Sequence, residues 1–135
     1  MILVDTNVLL DVLRDDQQWE VWSADALNRA GSQDQLAING IIYAELSSQY
    51  DEKESLDSAL DRLGMAFVEI PKSALFLAGH SFRRYRRTGG PKSNVLSDFF
   101  IGAHAAVTGA ALLTRDTRRI RSYFPTVALV APDSD

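Results

Sequence analysis

Residues 1–13 read Met1-Ile2-Leu3-Val4-Asp5-Thr6-Asn7-Val8-Leu9-Leu10-Asp11-Val12-Leu13. Ile2 to Val4 form a short apolar run that stops at an acid, and Val8, Leu9, Val12 and Leu13 then recur at the spacing of one helix face. The reading is a strand, an aspartate at its exit, and a helix that begins at once. An acid directly behind a strand expected to be buried is hard to treat as ordinary surface, so Asp5 is the first candidate for chemistry.

The same alternation continues outward. Trp19 to Arg29 keeps helical spacing through Trp19, Trp22, Ala26 and Leu27, and Gly31 is the expected helix end. Leu36 to Ile38 is a second strand. A helix through Ile41, Ile42, Ala44, Glu45 and Leu46 follows, and Glu52 to Leu63 is another, with Leu56, Leu60 and Leu63 in register and Gly64 closing it. Ala66 to Ile70 is a third strand bounded by Pro71. Leu75, Ala78, Gly79 and Phe82 mark one face of a helix that ends before Gly89-Gly90-Pro91, and the loop through Asn94 is the expected flexible point. Ser97 is placed as the cap of a helix whose interior runs from Asp98 to Thr108 and which Gly109 ends. Ala111 to Leu113 is a fourth strand, Thr117 to Phe124 a short helix and Val127 to Val130 a fifth strand. Strands alternating with helices imply right-handed crossovers and a mostly parallel sheet covered on both faces. The expected fold class is α/β, a five-stranded mostly parallel sheet sandwiched between helices, in one domain over residues 1–135.

A chain of 135 residues with 46% hydrophobic side chains has the common size of a single domain and can bury one core. The absence of cysteine excludes a disulfide framework, a thiolate zinc or iron–sulfur site and a cysteine nucleophile. The first residues include an acid and no basic n-region, and no apolar run approaches the roughly 20 residues of a membrane span. The expectation is a soluble cytoplasmic protein with no membrane association. The net charge of −4 argues on its face against a polyanionic partner, but the sign is split along the chain. Residues 1–69 hold 14 Asp and Glu against 4 Lys and Arg, whereas residues 70–135 hold 4 against 10. Two surfaces of opposite character are expected.

Ligands in open α/β sheets bind outside the carboxyl ends of the strands, where the strand order switches. Asp5 lies at the exit of the first expected strand, and Asp116 lies just past the fourth, in Leu113-Thr114-Arg115-Asp116. Asp98 opens the helix that feeds the fourth strand, and Glu45 sits in the helix after the second. Four carboxylates at one edge repel one another unless one takes a proton or a divalent cation binds among them. Oxygen donors, with no cysteine and with neither histidine at metal-motif spacing, favour magnesium over zinc, with manganese able to substitute. Such an ion acidifies a water, clamps a phosphate and stabilises a leaving oxygen, which points to phosphodiester hydrolysis. Each residue also has a structural reading. Asp98 and Asp116 stand where carboxylates cap helix starts, Glu45 reads as a solvated helix residue, Thr6 as a helix cap and Asn7 as a turn former. Spacing alone leaves both readings open.

Val4-Asp5-Thr6-Asn7-Val8, the Glu45 of Tyr43-Ala44-Glu45-Leu46, Val95-Leu96-Ser97-Asp98-Phe99-Phe100-Ile101-Gly102-Ala103-His104-Ala105 and Leu113-Thr114-Arg115-Asp116 together resemble the PIN-domain ribonucleases. Within them the chain is most similar to the VapC-like toxins of bacterial and archaeal toxin–antitoxin pairs. The resemblance covers essentially the whole chain, and the order and spacing of the four acids are its most specific part. It implies a five-stranded parallel sheet between helices and metal ligation mainly by Asp5 and Asp98, with Asp116 completing the site directly or through water. Glu45 would hold a water on the ion or bind a second ion, Thr114 would support the site by hydrogen bonding, and Thr6 and Asn7 stand as further supporting positions. The resemblance also implies an endoribonuclease with RNA as substrate and a cognate antitoxin wrapped around the helices from Ile41 to Leu63, pushing a basic side chain at the acids. A homodimer or a toxin–antitoxin hetero-oligomer follows from it. Asp11 is read as a solvated helix residue.

Arg83, Arg84, Arg86 and Arg87 cluster around Tyr85 at the end of one helix, and Lys92 follows in the glycine loop. Basic residues favour helix C-termini, yet four exceed what capping needs. With Arg115, Arg118, Arg119 and Arg121 they make a candidate basic rim for RNA phosphates. His104 stands off the face of Asp98 and is not expected to be a ligand, His80 is expected to be partly buried and structural, and Trp19 and Trp22 to pack in a core or interface. Other functions suit the same fold. A phosphoaspartate receiver wants paired acids at the first strand and an aspartate-nucleophile phosphatase wants a second aspartate where Asn7 stands, so both fit poorly. A PIN-like module that binds RNA or a partner without cutting differs from the nuclease only in a cleavage assay.

Overall fold

The apolar runs do become strands, each only two or three residues long. The computed structural model describes residues 1–91 and 95–132, so Lys92 and Asn94 lie outside the described residues. In chain order the elements are β1 (Ile2–Val4), α1 (Thr6–Leu13), α2 (Glu20–Gln33), β2 (Leu36–Ile38), α3 (Gly40–Ser47), α4 (Lys53–Arg62), β3 (Met65–Phe67), α5 (Lys72–Arg87), α6 (Leu96–Thr108), β4 (Ala111–Leu113), α7 (Arg118–Tyr123) and β5 (Leu129–Val130). The strands form one sheet in the order β3-β2-β1-β4-β5, and every pairing is parallel.

β1 is central. Leu3 lies opposite Ala37 on one side and Leu112 on the other. Successive strand residues point to opposite faces, and Ile2, Leu3 and Val4 are all buried, so both faces of the sheet centre are covered. This explains why the strands read as continuous apolar runs without alternation. The core joins them to Val8 and Leu9 of α1, Ile42 and Leu46 of α3, Leu56 of α4 and Phe99 and Ile101 of α6. Gly109 ends α6 at φ 72°, a left-handed conformation that a side chain resists. Gly102 has a different reason: a Cβ there would overlap the Phe124 ring, so glycine lets α6 and the segment after α7 approach closely.

Four boundaries differ from the sequence expectation. α2 runs through Gly31 to Gln33, with the Asp34 amide donating to the Ala30 carbonyl at 3.0 Å, because Ala26, Leu27 and Ala30 pack on the core. That packing outweighs the roughly 1 kcal/mol penalty of an internal glycine. Ser97 lies inside the first turn of α6 and is not its cap; the helix begins at Leu96 behind Val95. β3 and β5 are shorter than the apolar runs Ala66 to Ile70 and Val127 to Val130, because both are edge strands with a partner on one side only.

Candidate active site

The chain leaves β1 for β2 and β3 on one side, while β4 and β5 lie on the other, so the strand order switches between β1 and β4. Asp5 sits at that switch. Its backbone amide donates to the Leu113 carbonyl at 2.9 Å, extending the β1–β4 ladder by one step. Its side chain caps α1, with Oδ1 accepting from the Thr6 amide at 2.8 Å. Oδ2 accepts from the Thr114 hydroxyl at 2.7 Å and, more distantly, from Asn7 Nδ2 at 3.5 Å. Thr114 also accepts from the Asp116 amide at 3.1 Å, so one buried hydroxyl ties Asp5 to the loop that carries Asp116. The Asp116 residue itself is exposed.

Glu45 reaches the same edge from α3. Its Oε1 accepts from the Thr6 hydroxyl at 2.5 Å, so Thr6, the first residue of α1, links the Asp5 end of the site to Glu45 and is not the helix cap. α3 is held in turn by Asn39, whose Oδ1 accepts from the Ile42 amide at 3.0 Å while its Nδ2 meets His104 Nδ1 at 3.0 Å. Both are buried. Burial pushes the His104 pKa below its usual value, so the ring is neutral; Nδ1 then accepts from Asn39. The pair bridges α3, which carries Glu45, to α6, which carries Asp98. Asn39 went unread in the sequence, although an asparagine directly before a helix is a recognised cap.

Asp98 occupies the first turn of α6 and is one-third exposed. Arg119 of α7 donates to its Oδ2 through Nη1. The acids feel one another. Burial is the largest cause pushing the Asp5 carboxyl up to about 6; the Thr114 hydrogen bond pulls it down, the charge of Asp98 pushes it up, the Thr6 amide pulls down and Glu45 pushes up. Burial also raises Asp98, the neighbouring Arg119 opposes this by charge and hydrogen bond, and Asp116 and Glu45 add to the rise. The four acids thus gather at one edge without closing into a cage: among the described residues, no three acidic or histidine side chains are poised to share an ion.

Asp11 corrects its sequence reading. It is 3% exposed and accepts from Arg115 Nε at 2.6 Å, from Arg115 Nη2 at 3.0 Å and from the Ser23 hydroxyl at 2.7 Å. The Arg115 guanidinium lies 4.9 Å from the Trp19 ring centroid, and its backbone amide donates to Asn7 Oδ1 at 3.3 Å. Arg115 is therefore committed to an internal ion pair, and Trp19 packs on it and edge-on to Trp22. Arg83, Arg84, Arg86 and Arg87 are exposed at the end of α5. Arg83 contacts His80, Arg84 lies over the Tyr123 ring and Arg86 donates to the Gly90 carbonyl. His80 is exposed, not partly buried, and stacks on exposed Phe76.

The PIN domain family model matches residues 2–124. The chain belongs to the PIN domain family. Its fold is shared by solved toxin–antitoxin structures. A chain of VapBC2 from Rickettsia felis, bound to a DNA fragment from its promoter, is similar at TM-score 0.74 and 22% identity, over 98% of this chain and 100% of that one. VapBC-1 from nontypeable Haemophilus influenzae gives TM-score 0.71 and 20% identity over 97% and 98%. The toxin–antitoxin complex from Klebsiella pneumoniae gives 0.67 and 23% over 95% and 96%. At these identities the likeness is one of fold. Comparison with curated protein sequences returns no match. Among the described residues of this PIN domain, no helix is long and apolar enough to cross a membrane.

Proposed function

We propose that this PIN domain is a magnesium-dependent endoribonuclease, the toxin of a toxin–antitoxin pair, which hydrolyses RNA phosphodiester bonds at the site formed by Asp5, Glu45, Asp98 and Asp116. The observation that carries the reading is Asp5: an acid at the strand-order switch, held by neutral donors and pushed to a pKa of about 6 by burial and by neighbouring acids. A buried carboxylate group without its own counter-charge suits a site completed by a cation. The oxygen-only donor set fits magnesium, with manganese as a substitute. Asp5 and Asp98 would hold the ion and Asp116 would complete the site.

When bound, the ion supplies Lewis acidity to the phosphodiester and makes water more acidic. The chain's own residues do the positioning. Thr114 fixes the Asp5 carboxylate and the Asp116 loop together, Thr6 and Asn39 fix Glu45, and Glu45 would hold a water on the ion or bind a second ion. The Arg83 to Arg87 cluster, with Lys92, supplies phosphate contacts that give salt-dependent affinity with little sequence choice. Arg115 stands outside this role, because its guanidinium is held by Asp11 and its amide by Asn7.

Solved structures of similar fold include VapBC structures and a toxin–antitoxin complex, which supports a cognate antitoxin as partner; the proposed location of the pair is the cytoplasm. A cleft of about 490 Å³ between α3, α4 and β3 is lined by Tyr43, Leu60, Met65 and exposed Phe67 and edged by Asp61 and by Asp57, the latter already paired with Lys53 and the Tyr43 hydroxyl. It suits an apolar segment bearing basic residues, laid against the Ile41 to Leu63 helices, and homodimers or hetero-oligomers would form around it.

The test is cleavage of total RNA by purified, antitoxin-free protein with magnesium or chelator, beside Asp5→Asn and Asp98→Asn. Discrete fragments that need the ion and both acids support the nuclease. The second reading, a module that binds RNA or a partner without cutting, is favoured by the open arrangement of the acids and the Arg119 contact to Asp98. Intact RNA from folded protein would select it.

A further inference from the structure

Beside the acids a polar cleft of about 520 Å³ opens between the C-terminal end of α5 and α7, lined by Tyr85, Gly90, Asp116, Arg118, Arg119 and Ser122 among others. Two of these residues belong to both places. Asp116 is one of the four acids, and Arg119 donates to Asp98 from the cleft wall. The aromatic rings here are already engaged within the chain: Arg119 lies over Tyr85 at 5.5 Å, Gly90 packs against the same ring, and Arg84 lies over Tyr123 at 4.9 Å. A base finds little ring surface to stack on. Apart from Asp116 on the side of the acids, what remains is cationic and hydroxylic, from Arg118, Arg119, Ser122 and Thr88, and it matches the oxygens of a nucleic-acid backbone.

We propose that this cleft is a phosphate subsite for the RNA strand beside the scissile bond, and that Arg119 is its principal ligand, held back by Asp98 until Asp98 turns to a divalent cation. The inference rests on the nuclease reading and goes beyond it. The guanidinium holds Asp98 Oδ2, and a cation drawn to the same carboxylate meets that positive charge, so Arg119 and the cation compete for Asp98 in the free protein. Once Asp98 is taken up by the ion, the guanidinium fork is free to grip a phosphate bidentately. Cation binding and RNA binding are then positively coupled, and the coupling is reciprocal.

Two measurements test this. Magnesium titrations followed by thermal unfolding, without RNA, compare wild type with Arg119→Gln, Arg119→Lys and the remote control Arg62→Gln. Removing the competitor is expected to lower the half-saturating magnesium concentration several-fold in Arg119→Gln and less in Arg119→Lys, while Arg62→Gln leaves it unchanged. Fluorescence anisotropy with a labelled ten-nucleotide single-stranded RNA is then run in a Glu45→Gln background to suppress cutting. Magnesium should tighten binding about tenfold, and adding Arg119→Gln should abolish that gain. An unchanged or higher half-saturating magnesium concentration, or RNA affinity insensitive to Arg119→Gln, overturns the proposal. Wild-type cleavage of RNA alongside those results leaves the nuclease reading standing alone. Absence of cleavage together with both expected shifts removes the nuclease and keeps the subsite.

Discussion

Asp5 caps α1 and Asp11 lies within that helix, the first half-buried and the second buried, yet they are compensated in opposite ways. Asp11 is paired with a guanidinium bidentately and takes a serine hydroxyl as well. Asp5 has only neutral donors, the Thr6 amide, the Thr114 hydroxyl and the Asn7 amide, and looks toward Asp98 and Glu45. Burial alone therefore does not decide what an acid is for. The presence or absence of a counter-charge built into the chain does: Asp11 anchors the loop after β4 to α1 and α2, and Asp5 is left short of positive charge.

The largest expected effect falls on activity. Asp5→Asn should lower RNA cleavage by about 10²–10³-fold or more while the protein stays folded, as read by fragment analysis and circular dichroism. A mutant that cuts normally would erase the contrast with Asp11. Next, Asp11→Ala should destabilise the protein by about 2–4 kcal/mol in urea unfolding, because the Arg115 guanidinium is left facing a buried gap, and Asp11→Ala/Arg115→Ala should recover part of that loss. A change below about 0.5 kcal/mol would make Asp11 the solvated residue that its sequence position implies.

The contrast also has a pH signature. The folded Asp5 pKa of about 6 lies above the value of about 3.9 for an unfolded aspartate. Below the lower value both states carry the proton. Between the two, the folded protein keeps a proton that the unfolded chain has released, so the Asp5 contribution to stability falls as pH rises through that window. The cation-free protein should lose about 1–3 kcal/mol by pH 7 on this account. Asp5→Asn should abolish this slope, and saturating magnesium should offset it; identical wild-type and mutant profiles from pH 4 to 7 would contradict it. The smallest effect concerns the rim: Arg83→Glu/Arg87→Glu should reduce cleavage a few-fold at moderate salt and flatten its salt dependence by about one unit of slope per lost phosphate contact. Unchanged cleavage would remove those arginines from the RNA path.

Much of the fold was legible because it depends on local patterns. The apolar triplets around Leu3, Ala37 and Leu112 mark strands buried on both faces, and Gly109 marks a helix end that needs positive φ. Asp5, Asp116 and Asp98 could be offered for one edge because each stands at or just past the end of such an element. Gly31 was misread because a packed helix overrides a local glycine signal, and Ser97 because capping residues look alike one position inside a helix.

By itself, then, the amino-acid sequence determined the order of elements and the parallel α/β class, since these follow from hydrophobic period, and it offered Asp5, Glu45, Asp98 and Asp116 as candidates for the strand-switch edge with a structural reading beside each. Only the tertiary structure decided which charges are spoken for. Asp11 meets Arg115 across 104 positions, Asn39 meets His104 across 65 and Asp98 meets Arg119 across 21. No local pattern encodes such partners, because an ion pair or buried hydrogen bond depends on the distance between side chains after the chain has closed on itself.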